Sequence, residues 1–110
     1  MATPELLQSW KRTEAYLLQA RACFSHSTEA EFRADLLQYA EYIRLNELGL
    51  AFETLDAIAE ESLSESSRLF ELLALAAASM QIEAAQERLD SKVSALRGST
   101  YKTVLPPSEP

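Results

Sequence analysis

Turn-forming residues are scarce in this chain of 110 residues: glycine occurs only at Gly49 and Gly98, and of four prolines three fall within the last five positions. Hairpin-rich β folds draw on such residues at every turn, so the shortage excludes them and favours helix. Cys23 is the only cysteine and His26 the only histidine. One thiol cannot form an intrachain disulfide, and nothing in the cysteine usage points to an oxidising compartment. The same two absences remove the Cys/His cluster of a zinc site and the Cys–His couple of a thiol nucleophile. The longest apolar stretch, "LFELLALAAASM" at 69–80, is interrupted by Glu71 and is far shorter than the roughly 20 residues a membrane-crossing helix needs. The start, "MATPELLQSW", has neither the basic segment nor the apolar run of a signal peptide, so a cytoplasmic protein is expected. Positive charge is short as well: 10 Lys plus Arg against 17 Asp plus Glu give a net charge of −7, which argues against direct binding to DNA or RNA and for a basic protein partner.

What is present suffices for one helical domain with a real core. Thr3 followed by Pro4 makes an N-cap and first-turn pair, and Leu6, Trp10, Thr13, Leu17, Ala20 and Phe24 then fall on one stripe of a first helix reaching about Phe24. Thr28 and Glu31 have capping-box spacing for a second helix, which carries Phe32, Leu36, Tyr39 and Ile43 on one face and ends near Leu45. Asn46 is the expected N-cap of a third, whose core face is Leu48, Ala51, Phe52, Leu55, Ile58 and Ala59. Ser62 and Glu65 repeat the capping-box spacing, so a fourth helix is expected to start between Leu63 and Ser66. No glycine or proline interrupts it before Gly98, which predicts one long helix or one with a single break near Asp90. Leu75, Ile82, Leu89 and Leu96, seven apart, suggest a weak heptad seam. The expected fold is therefore all-α, a four-helix bundle or orthogonal array over residues 1–98 with a long C-terminal helix. An extended or partly disordered tail follows over 99–110, of which "TYKTVL" is able to lie against the bundle.

Catalytic chemistry finds no ingredients in this pattern. His26 sits between two serines in the expected first connection, and Cys23 reads as a small buried hydrophobe. Carboxylate pairs such as Glu60 with Glu61 and Glu83 with Glu87 lie on solvated helix faces, and no glycine-rich phosphate loop is present. No enzyme activity, cofactor or metal is expected.

Charge distribution is more informative than its total. Between Arg44 and Arg68 there is no basic residue, while Glu47, Glu53, Asp56, Glu60, Glu61 and Glu65 contribute six negative charges. On a helical wheel Gly49, Glu53, Asp56 and Glu60 form one stripe away from the core face. Either this is a plain solvent face or it is a partner-binding face. The second reading has the advantage that like charges within two turns repel, and a cationic partner would remove that cost. Leu50 and Tyr42 lie off the core faces and are the candidate apolar and aromatic anchors. Glycine in a helix costs roughly 1 kcal/mol relative to alanine, so Gly49 is expected to leave backbone bare for the close approach of a neighbour.

At residues 39–55, "YAEYIRLNELGLAFETL", the chain resembles the small helical immunity proteins of bacterial polymorphic toxin systems, in particular the MafI-type group. The resemblance rests on a pattern N-E-x-x-L-A-x-E-x-L after an aromatic-rich helix, here Asn46, Glu47, Leu50, Ala51, Glu53 and Leu55. A second pattern, a bulky residue, an alanine pair and a methionine, matches "FELLALAAASM" at 70–80. What the resemblance implies is an all-helical, non-enzymatic toxin inhibitor that binds a cognate toxin domain and occludes it, many such toxins being nucleases with basic clefts. Glu47 and Glu53 carry over from the motif, for toxin contact or for helix capping; Gly49 and Phe52 stand at its variable positions. The candidate partner-binding set is thus Glu47, Glu53, Asp56, Glu60, Glu61, Tyr42 and Leu50. The alternative is a small adaptor or secretion chaperone that dimerises along the heptad seam, whereas the immunity reading expects a monomer when free.

Overall fold

A computed structural model describes residues 3–64 and 66–106, and it is all-helical across them. Six helices follow in order: α1 (Pro4–Arg21), α2 (His26–Glu31), α3 (Arg33–Arg44), α4 (Leu48–Glu61), α5 (Ser67–Ser79) and α6 (Glu83–Arg97). Helices α1, α4 and α5 pack on one another, α3 flanks α4, and α6 flanks α5. The molecule is a slab of 40 × 35 × 21 Å, its short dimension matching two helix layers of about 10 Å each. Among the described residues no helix is long and apolar enough to cross a membrane.

The predicted core faces are largely the observed ones, except that Leu6, at the start of the α1 stripe, is exposed and Trp10 and Ile43 are only partly buried. Thr3 accepts a hydrogen bond from the Leu6 N–H at 3.1 Å and caps α1, whose Thr13, Leu17 and Ala20 are buried. Phe32, Leu36 and Tyr39 are buried, as are all six residues of the expected α4 face. Deepest of all is α5, where Leu69, Phe70, Leu73, Ala74, Ala76 and Ala77 have no exposed surface. Thr13 is satisfied within the α1–α5 contact: its hydroxyl donates to the Ser9 carbonyl at 3.0 Å and meets the Ser79 hydroxyl.

Helix limits depart from the sequence reading in instructive ways. Two of the four expected helices are each divided. The second breaks at Phe32, and its start is capped by Ser25, which accepts from the Thr28 N–H at 3.2 Å, not by Thr28. His26 is accordingly the first residue of α2 rather than part of a connection, with its ring fully exposed. The long fourth helix is two helices, α5 and α6, broken at Met80–Ile82 and not near Asp90. That break folds Leu75, Leu89 and Leu96 back onto the core with Ile82 beside them, so no continuous heptad seam exists. The start of α5 is capped by Ser66, which accepts from the Leu69 N–H at 3.2 Å; Glu65, invoked for the capping box, lies outside the described residues. Cys23 is half-buried rather than buried, and its thiol is pushed up from its usual pKa by that burial, opposed by the charge of Arg68.

Three helices end on left-handed residues that are not glycine: Asn46 (φ 57°), Leu63 (φ 53°) and Gln81 (φ 60°). Each is followed by a residue whose N–H reaches back across the helix end, Glu47 to the Tyr42 carbonyl, Ser64 to Ala59 and Ile82 to Ala77. These are Schellman closures, which satisfy the orphan carbonyls of the last turn. Asn46 is therefore the terminator of α3 and not the N-cap of α4, which starts from Glu47 without a side-chain cap. Glycine occupies the equivalent place only at Gly98 (φ 73°). Gly49 fills no such need: it is exposed, its φ is not positive, and a Cβ there would meet nothing within 4 Å, so the expected close approach is absent. Exchanging the two choices should stabilise the fold. Gly49→Ala and Leu63→Gly, the latter at a leucine that is 82% exposed, are each expected to add about 0.5–1 kcal/mol, additively, in chemical denaturation.

Past Gly98 the chain turns back along α6. The Tyr101 N–H donates to Ser94 Oγ at 2.8 Å, Arg97 lies over the Tyr101 ring at 5.1 Å, and Thr103 is buried. Thr103 donates to Asp90 twice, from its N–H at 3.1 Å and from its hydroxyl at 2.5 Å. Residues 107–110 of the expected tail lie outside the described ones.

Candidate functional site

The candidate residues separate onto two flanks of α4. The three-residue closure at Leu45–Glu47 folds α4 back beside α3, and the seam between them is an open groove of about 300 Å³. From α3 come Phe32 at its N-cap, Asp35 and Tyr42; from α4 come Leu50, Glu53, Thr54, Ala57, Ile58 and Glu61. Leu50, Glu53, Ala57 and Glu61 recur at i, i+3, i+7 and i+11, which keeps them on one stripe of α4. Tyr42, Leu50, Glu53 and Glu61 are thereby brought together. Their floor is apolar, with Phe32 and Ile58 buried, and no basic side chain lines the groove.

Asp56 and Glu60 turn to the other flank, toward α6. Arg88 of α6 spans them, its Nη2 on Asp56 Oδ2 and its Nη1 on Glu60 Oε1 at 3.1 Å. The acidic stripe inferred from the wheel is thus only partly unneutralised, because a cation 28 and 32 residues away in sequence supplies the missing partner. Glu47 stands apart from both flanks, exposed at the start of α4, where its carbonyl accepts from the Ala51 N–H at 3.0 Å. Asp35 was missed by sequence reasoning. Its position seven residues before Tyr42, hence on the same face of α3, is the signal that finds it.

Asp56 is the electrostatically costly member. Its side chain is mostly buried, and Oδ1 is shut off from solvent without a hydrogen-bond partner. Burial pushes its carboxyl above the ordinary aspartate pKa, while Arg88 pulls the other way. A carboxyl raised in the fold binds its proton more tightly than the unfolded chain does. Its contribution to stability is therefore fully present in acid, below the unfolded value, and is lost as pH rises through the folded value. Carbonyl NMR titration of Asp56 is expected to show a midpoint above the ordinary one, and Arg88→Gln should move it higher still; a downward move would mean that the ion pair does not govern this group.

Among the described residues no group of three or more His, Cys, Asp and Glu side chains is placed to hold a metal ion. Comparisons with protein-family models, with curated proteins and with solved structures find no match to this chain.

Proposed function

We propose that the protein is a non-catalytic immunity-type inhibitor of the cytoplasm, monomeric when free, that seats a basic segment of a cognate bacterial toxin domain in the α3–α4 groove. The carrying observation is that four of the seven residues singled out from sequence, Tyr42, Leu50, Glu53 and Glu61, line one groove with Asp35, over an apolar floor and with no basic side chain among them. A lysine or arginine stem lies well on such a floor while its charge meets carboxylates at the rim. Binding there blocks the toxin sterically, and the opposite fields of partner and groove raise the association rate in a salt-dependent way. The motif resemblance over residues 39–55 supports the same reading, since its Leu50 and Glu53 belong to this groove.

The test is protection and binding with the toxin domain encoded beside this gene. Reversal of Asp35, Glu53 and Glu61 to lysine is expected to leave helicity intact, weaken the complex at least tenfold and abolish rescue of toxin-expressing cells. Full rescue with unaltered affinity in the triple variant would place the site elsewhere. Asp56 and Glu60 are unsuitable for that experiment, because reversing them also breaks the α4–α6 ion pair.

A further inference from the structure

A second cavity of the described helices is separate from the acidic groove. It opens between the end of α1, α2 and the stretch of α3 from Arg33 to Ala40, and measures about 490 Å³, within the range usual for small-molecule sites. We infer that this cavity binds a small amphipathic anion, its charged head held by Arg33 and Arg21 and its apolar body laid on Leu36 and Leu37.

Electrostatics point this way first. In a chain of net charge −7, the lining has two arginines against the single carboxylate of Glu29. Arg21 gives Nη1 to Glu29 at 2.7 Å and keeps further N–H groups to donate. The Arg33 side chain has no ion pair or hydrogen bond among the described residues. A guanidinium presents paired N–H donors in a plane, the geometry that suits a carboxylate, sulfonate or phosphate head.

Tyr39 is a further polar side chain of the wall. It is 4% exposed, yet its hydroxyl, buried from solvent, has no hydrogen-bond partner. Buried hydroxyls are normally paired, and this one is not. Burial holds the Tyr39 phenol up at about 12, with Arg21 and Glu14 acting on it in opposite directions, so it stays a neutral donor at physiological pH.

The remaining wall is apolar and roomy. Leu36 is nearly buried, Leu37 is 68% exposed beside it, and the short side chains of Ala30 and Ala40 leave the space open. An apolar body has surface to cover there. A nucleic acid does not fit the same site, because the acidic remainder of the surface repels a polyanion, whereas a small monoanion meets only the local field.

Calorimetric titration of the full chain with decanoate tests this, with decan-1-ol as the neutral counterpart and backbone amide shifts to locate the site. Saturable one-to-one binding is expected, with a dissociation constant of about 1 mM or tighter and shifts centred on Ala30, Leu36 and Ala40. Arg33→Glu, at an exposed position, should weaken it at least tenfold, and Tyr39→Phe, which keeps the ring, about threefold. Equal affinity for decan-1-ol, equal affinity in both variants, shifts centred elsewhere, or no saturable binding to the folded protein would each overturn the assignment.

Discussion

Phe70→Ala should cost about 3–5 kcal/mol of unfolding free energy, the largest loss expected from any single truncation in this chain. Phe70 has no exposed surface and is the largest of the fully buried side chains. It belongs to α5, the helix that packs against α1, α4 and α6. Relaxation is limited because the residues before and after it, Leu69 and Glu71, are themselves buried. The ring also lies 5.5 Å below the Lys92 ammonium of α6, an attraction that goes with it. Domains of this size have about 5–15 kcal/mol in total, so a substantial share of the margin would vanish. Urea denaturation is the measurement: the midpoint should fall while the slope holds. A loss under about 1 kcal/mol would mean that α5 is not the centre of the core.

Asp90→Ala should cost about 1–3 kcal/mol and release the C-terminal segment. Asp90 accepts both Thr103 bonds inside a buried site, and the alanine variant would leave a backbone N–H and a hydroxyl without an acceptor. The chain has an escape, since residues 99–106 can leave α6 and return those groups to water. The cost is therefore capped by what docking of the segment contributes. Hydrogen exchange at the Thr103 amide and tryptic cleavage after Lys102, an exposed residue, should both accelerate. Thr103→Val, which keeps the N–H donor, should show a smaller effect of the same kind. Unchanged exchange in the Asp90 variant would show that Tyr101 on Ser94 and Arg97, with Gln86 donating to the Thr103 carbonyl at 3.4 Å, holds the segment without Asp90.

Helix content and core faces were legible because they depend on local periodicity: the stripe from Leu48 to Ala59 buries as its spacing requires. The breaks at Phe32 and Gln81 were not legible. Gly and Pro are the residues that most often announce a helix end, and here Schellman closures use Asn46, which tolerates the left-handed region, and Leu63 and Gln81, whose side chains resist it. Nothing in "SMQIEA" marks the stop; the closure is stabilised by the packing of α6 back onto α5. The acidic site divided for a related reason. Sequence adjacency placed Glu53, Asp56 and Glu60 on one stripe, but which flank a helix shows to its neighbours is decided by long-range packing, and Arg88 lies beyond the reach of any local pattern. Tyr42 and Leu50 met Glu53 and Glu61 because all four sit just off the core faces of two consecutive helices.

Arg88 also gives the charge of α4 a direction. With Asp56 and Glu60 sharing it, the flank toward α6 has half its negative charge offset, while the flank toward α3, with Asp35, Glu53 and Glu61, has none offset by a lining residue. A helix ringed by carboxylates would attract a cationic surface in any rotation about its axis. This one exerts a torque as well as a pull, so an approaching cation is turned before contact, and the productive fraction of encounters rises with no increase in net charge.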